Sequence, residues 1–350
     1  MNSFGSPMTT WLRNLAFVGL LLCFVVVVLG AYVRLNAAGL GCPDWPGCYG
    51  HITPTGAAAN AASQAAYPNM PLQVGKAWKE MIHRYAASTL GLIILVIAAL
   101  AISTRKQRIV SVPLAVGLFV TVVVQGILGM LTVTWLLKPL IVTLHLIFGL
   151  TTLSLLWWLF LSLRTGSRGG VRFAGASSSN LSAYPDRTRP PHRAMLVALI
   201  ALGIQIALGG WTSSNYAAVA CPDFPKCQNS WIPETDYKDA FVLWRGLGVN
   251  YEGGILQHPA RVAIHFTHRL GALAATLALI FAAVATLRRK VKASARVAAY
   301  AVLGALCLQL FIGASMVLEG FPLALATAHN AGAALLLLTS LALYRALRYP

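Results

Sequence analysis

Eight stretches of this chain run without a charged side chain for long enough to cross a bilayer: residues 15–33, 85–103, 109–135, 139–163, 194–216, 270–287, 297–318 and 321–344. In lipid every backbone N–H and C=O must be paired inside its own segment or in a closed barrel, so runs of this length are helices. The expected fold is an all-α integral membrane protein with eight transmembrane helices. A composition of 57% hydrophobic and 10% charged residues fits that solvent and no ordinary water-soluble domain. The first run follows Arg13 and is trailed by Asn36-Ala37-Ala38, as a cleaved signal segment would be. Its 19 apolar residues exceed a signal core, however, and 194–216 forms a counterpart, so it reads as a retained span.

The net charge of +18 raises the possibility of a nucleic-acid partner, but the basic residues are distributed as the positive-inside rule demands. With the N-terminus cytoplasmic, segments 1–14, 104–108, 164–193, 288–296 and 345–350 hold 17 of the 27 lysines and arginines and one acid, Asp186. The longer outer segments hold ten basic residues against eight acids. The charge therefore sets orientation and calls for no nucleic acid. Both termini are expected in the cytoplasm, and the only large partner implied is membrane lipid.

A repeat underlies the eight spans. Cys42 and Cys48 match Cys221 and Cys227 at an offset of 179 residues. "EMIHRYAASTLG" (80–91) resembles "HFTHRLGALAAT" (265–276), aligning His83-Arg84 with His268-Arg269 at 185. "QGILGMLTV" (125–133) matches "QLFIGASMV" (309–317), and His145 matches His329, both at 184. Landmarks in one order at a nearly constant offset indicate duplication of a four-helix unit. An even number of helices per unit makes the repeat parallel, with a pseudo-two-fold axis along the membrane normal. The expected organisation is a bundle over 1–163, a cytoplasmic linker over 164–193 rich in Ser, Gly, Arg and Pro, and a bundle over 194–350.

Four of the eight histidines, His83, His145, His268 and His329, fall at or within helices at repeat-related places. A histidine at membrane depth marks a functional site by default, although a hydrogen bond across a helix interface is its bland alternative. In each unit the second and fourth helices start on the outer side, and each histidine lies about two turns in, so the pair can face across its bundle at one level. Two opposed imidazoles with no thiolate or carboxylate to complete a tetrahedral set suit the axial positions of a haem iron better than zinc. Two pairs suggest two haems. Arg84, Arg269 and Arg34 are candidates for haem propionates, against the alternative of arginines snorkelling to the interface. His51, His192 and His258 read as solvated.

The units differ at one chemically informative place. Glu80 stands three residues before His83, on the same helical face, whereas His265 stands three before His268. A carboxylate beside a metal cofactor serves as a base or stabilises developing positive charge; its alternative is a helix N-terminal acid favoured by the macrodipole. His265 is a polar partner or a rival ligand to His268. The pairs Cys42–Cys48 and Cys221–Cys227 can be disulfides, metal ligands or separate thiols. Their spacing is not that of a zinc knuckle, and the intervening prolines and the oxidising outer side favour disulfides. Cys23 and Cys307, inside helices, read as small core residues.

"GAYVRLNAAGLGCPDWPGCYG", "EMIHR", "TLHLIFG", "CPDFPKC", "HFTHRLGA" and "TAHNAGAA" together resemble the haem A synthase family, over nearly the whole chain. That resemblance implies oxidation of a methyl group of haem O to a formyl group, giving haem A for terminal oxidases, with water as the oxygen source. It implies haem O as substrate and haem A as product in the first half, flanked by His83 and His145. It implies haem B in the second half, ligated by His268 and His329, and Glu80 as the functional acid. Haem O synthase, oxidase assembly factors and a possible homo-oligomer are the implied partners. The cysteine pairs resemble bacterial members, which places the chain in a bacterial inner membrane with the cysteine loops periplasmic. The N-terminal "MNSFGSPMTTWLRN" agrees, having no long amphipathic transit segment. Lys226 and Phe224 stand where the first loop has Gly47 and Trp45, which loosens the case for identical loop roles. A bis-histidine membrane cytochrome b that only transfers electrons, or less plausibly a haem or metal transporter, is the rival reading.

Overall fold

The computed structural model describes residues 7–164 and 191–349, so most of the expected linker lies outside the described residues. Eight long helices carry the fold: α1 (Pro7–Leu35), α2 (Val74–Ser103), α3 (Val112–Thr134), α4 (Pro139–Arg164), α5 (His192–Ser214), α6 (His258–Leu287), α7 (Ala293–Leu318) and α8 (Leu323–Arg348). All eight are long and apolar enough to span a membrane. Prolines in the first turns of α3, α4 and α6 fix the backbone where no intrahelical N–H partner exists.

The helices α1 to α4 pack as a ring around a core that includes Leu12, Leu20, Leu90, Ile94, Leu118, Leu153 and Leu156. The helices α5 to α8 form a second ring around Met195, Leu202, Leu279, Val302, Leu306 and Leu343. Between the rings α1 packs on α8, α4 on α5, and α4 on α8. Polar bonds cross there too: Trp157 Nε1 donates to the Leu338 carbonyl at 2.9 Å, and Arg345 to Ser162 Oγ at 3.1 Å. Large apolar side chains such as Trp11, Leu92, Phe281 and Phe311 face outward, as lipid-facing helix surfaces require. Cys23 is buried as expected, whereas Cys307 is exposed on the outer face of α7 and is not a core residue.

Helices α2 and α6 begin well before their uncharged runs. The polar first turns are held by packing against the outer loops, a contact that hydropathy does not register. Ala77 and Met81 pack with Cys42, Cys48 and Tyr49, and Val262 with Ala220, Cys221 and Cys227. A Cβ on Gly41 would lie 2.8 Å from the Ala77 amide nitrogen, so the first cysteine loop is pressed onto the α2 backbone. These extensions carry Glu80, His83, Arg84 and their second-half counterparts.

The rings approach closely at Gly210 of α5, where a Cβ would lie 3.0 Å from Leu146 and 3.3 Å from Thr143 of α4. Gly210→Leu should destabilise the detergent-solubilised protein by about 1–3 kcal/mol through overpacking, read as a lowered thermal midpoint. An unchanged midpoint would show that the two rings are not tightly packed there.

Candidate functional site

Each cysteine motif builds the same small structure. Cys42–Cys48 and Cys221–Cys227 are disulfides with S–S distances of 2.06 and 1.96 Å. After each second cysteine the chain reverses in two residues. Cys48 and His51 exchange backbone bonds of 2.8 and 3.1 Å around Tyr49 (φ +53°) and Gly50 (φ +75°). Cys227 and Ser230 do so at 3.0 and 3.1 Å around Gln228 (φ +57°) and Asn229 (φ +58°). Two successive positive φ values characterise the tight hairpin turn whose twist matches its flanks. The motif aspartate holds that turn: Asp44 accepts the Tyr49 and Gly50 N–H groups at 2.6 and 2.8 Å. Asp223 accepts those of Gln228 and Asn229 at 2.8 and 2.9 Å. Partial burial works to raise the Asp223 pKa, but these two backbone donors outweigh it and hold the carboxyl below its ordinary value.

One arginine per half clamps the loop to its helix. Arg84 donates to the carbonyls of Asp44 at 2.9 Å and Gly47 at 2.6 Å, and to Glu80 Oε1 at 2.5 Å. Glu80, 4% exposed, accepts the Cys42 N–H on its other oxygen at 2.9 Å. Arg269 donates to the carbonyls of Lys226 at 2.6 Å and Cys221 at 2.9 Å, and its Nε lies 3.3 Å from His265 Nε2. His265 thus occupies the place of Glu80 as the arginine's partner one helical turn back. Arg34 reaches across the molecule, donating to the Ser213 carbonyl at 2.8 Å with its guanidinium 4.0 Å over the Tyr216 ring. Ser213 is the residue that matches Arg34 in the repeat. All three arginines are therefore engaged with protein groups: two with the loops, one with the other half.

The four helix histidines share a setting that spacing alone did not reveal. Each ring lies against a glycine of the preceding helix: His83 on Gly30, His145 on Gly129, His268 on Gly209 and His329 on Gly313. A Cβ at those glycines would stand 3.0, 3.2, 3.1 and 2.9 Å from the ring Cε1. His83 and His145 belong to α2 and α4 of the first ring, His268 and His329 to α6 and α8 of the second. Nδ1 of His83, His145 and His329 is buried with no hydrogen-bond partner. Among the described residues no three His, Cys, Asp or Glu side chains converge as a metal-ligand set. Paired imidazoles with unsatisfied nitrogens, seated on glycines and without acid or thiolate co-ligands, fit the two axial ligands of a haem iron.

Glutamines complete the setting. The Gln125, Gln205 and Gln309 amides lie beside His145, His268 and His329. The recoverable signal was the string Gln-x-x-x-Gly, present in α3, α5 and α7 and altered in α1 to Val26-x-x-x-Gly30. Of the histidines read as solvated, His51 bonds Ser63 at 2.9 Å in the first outer loop, while His192 and His258 begin α5 and α6.

The family described as cytochrome oxidase assembly protein (COX15-CtaA) matches residues 13–341. A haem A synthase of Shewanella oneidensis is 42% identical over 334 residues, covering 94% of each chain. One of Rhizorhabdus wittichii is 29% identical over 95% of this chain and 92% of its own. One of Chelativorans sp. is 26% identical over 99% of this chain and 96% of its own.

Charge-assisted bonds of the Arg84 kind contribute about 1.5–3 kcal/mol. Arg84→Gln should therefore raise the rate at which a small thiol reduces Cys42–Cys48 by about tenfold or more, followed by mass tagging of freed thiols. Cys221–Cys227 should be unaffected, and Arg269→Gln should give the converse. Equal rates in wild type and both variants would contradict the clamping role.

Proposed function

The chain belongs to the cytochrome oxidase assembly protein family, among its haem A synthases, and on that premise we propose that it oxidises a methyl substituent of haem O to a formyl group to give haem A. The first half holds the substrate between His83 and His145, and the second half holds haem B between His268 and His329. The observation that carries this division is the difference between otherwise matched surroundings: a buried carboxylate, Glu80, on the first-half side and an imidazole, His265, on the other.

Haem B, when bound, supplies a one-electron redox centre. The chain's own groups position and deprotonate. Converting a methyl to a formyl group with one water releases four protons and four electrons, so the reaction requires an external electron acceptor to take the electrons and a proton acceptor beside the reacting carbon. Glu80 is suited to that task. Arg84 and the Cys42 N–H fix both carboxylate oxygens, and each oxygen keeps a further lone pair for a water O–H. A base held this way loses little freedom when it acts. The glycines facing His83 and His145 let each imidazole lie close to the neighbouring helix backbone, where a larger residue would crowd the ring. Burial of Glu80 itself, 4% exposed beneath the first cysteine loop, keeps bulk water from its carboxylate.

The positive-inside charge distribution supports cysteine loops on the periplasmic side of a bacterial inner membrane. The matching ring packing in each half, with α1 on α8 mirrored by α5 on α4, supports a parallel repeat about an axis along the membrane normal.

In cells that make haem O, Glu80→Gln should abolish haem A and its hydroxylated precursor in the purified protein while leaving haem B at wild-type stoichiometry, as measured by mass analysis of extracted haems. The loss should be at least about a hundredfold if Glu80 is the general base. Wild-type haem A in the variant would remove Glu80 from the chemistry, whereas haem B alone in both proteins, with haem O available, would favour a purely electron-transferring role.

A further inference from the structure

A cofactor that stays and a substrate that leaves make opposite demands on their sites, yet both halves present the same pair of histidines. The difference lies one turn below each glycine on the facing helix. The Gln205 amide nitrogen of α5 lies 3.0 Å from Nδ1 of His268 and also donates to the His268 backbone carbonyl at 3.0 Å. The Gln309 amide nitrogen of α7 lies 3.3 Å from Nε2 of His329 and donates to its carbonyl at 3.1 Å. Each second-half glutamine is thus tethered to the backbone of the histidine it serves. In the first half Gln125 meets only the ring of His145, at 3.5 Å. Val26 stands where Gln205 stands in the second half, four residues before the glycine, and gives His83 no polar partner.

The second half also makes room for the tethers. A Cβ on Gly271 or Gly332 would collide with Oε1 of Gln205 or Gln309 respectively. The residue matching Gly271 in the first half is Ala86. Through its nitrogen each tethered amide lies against a ring nitrogen while bonded to the backbone of the same histidine, which fixes where the imidazole can stand. Oε1 of Gln125, Gln205 and Gln309 alike is buried without a partner, so the halves differ in the backbone tether and in Val26, not in that oxygen.

We propose that Gln205 and Gln309 are positioning residues that make His268 and His329 the ligands of a permanently held haem, and that Val26 leaves His83 without this support so that the first-half site exchanges its haem at each turnover. This rests on the assignment of haem B to the second half.

The test uses the full-length protein in detergent with haem B bound, and follows transfer of haem B to excess apomyoglobin together with the low-spin electron paramagnetic resonance signal. Gln205→Val, which installs the first-half residue, and Gln309→Val should each speed haem loss about tenfold or more and shift the low-spin signal. Gly271→Ala, which displaces the Gln205 amide without removing it, should do the same to a smaller extent. Val26→Gln combined with Ala86→Gly should slow escape of haem O from the first half. Wild-type haem loss and an unchanged signal in Gln205→Val and Gln309→Val would overturn the proposal. His329→Ala separates this from the underlying assignment: if it too retains haem B with an unaltered signal, the second half is not the haem B site at all.

Discussion

An imidazole inside a membrane bundle is costly unless both of its nitrogens find partners, and of the four this chain seats on glycines, His83, His145 and His329 keep a buried ring nitrogen that the protein leaves unsatisfied. That imbalance organises everything around it. Each ring needs a glycine opposite, because a Cβ would stand about as near as the ring can tolerate. Each ring also needs a helix that continues beyond the apolar zone, or rests near its outer end, so that the histidines of a pair meet at one level. The outer loops exist to hold those helix starts in place, and their disulfides, turn-capping aspartates and clamping arginines all serve the same few turns of α2 and α6.

Each half presents such a setting, and the two differ at a few positions. Glu80 against His265 changes what the clamping arginine holds, a carboxylate that can take a proton or a neutral ring. Val26 against Gln205 changes whether the histidine has a polar neighbour on the facing helix. Arg34, whose repeat mate is Ser213, ties the two halves at the place where their equivalent positions meet. The two halves thus differ at a few residues within similar surroundings, without any change of fold.

Much of this was legible in the sequence because lipid imposes blunt rules. The eight spans and the cysteine pairing follow from apolar length and spacing. The starts of α2 and α6 did not, because their first turns are polar and are stabilised by loop contacts such as Ala77 and Met81 on Cys42 and Tyr49. Charge at Arg84 and Arg269 announced an electrostatic role but not its direction; the structure turns both onto loop carbonyls. Cys307 reads like a core residue in a string of apolar letters, since a lipid-facing side chain and a buried one have the same composition. The glutamines were hidden for the opposite reason: a single amide in an apolar helix gains meaning only when the histidine it touches is known.

The division between the halves is tested most directly by the haem composition of His83→Ala and His268→Ala proteins, purified from cells that make haem O and haem B and analysed by mass. His268→Ala should lose haem B, whereas His83→Ala should keep haem B and lose haem O and haem A. Equal loss of haem B from both variants would contradict that division.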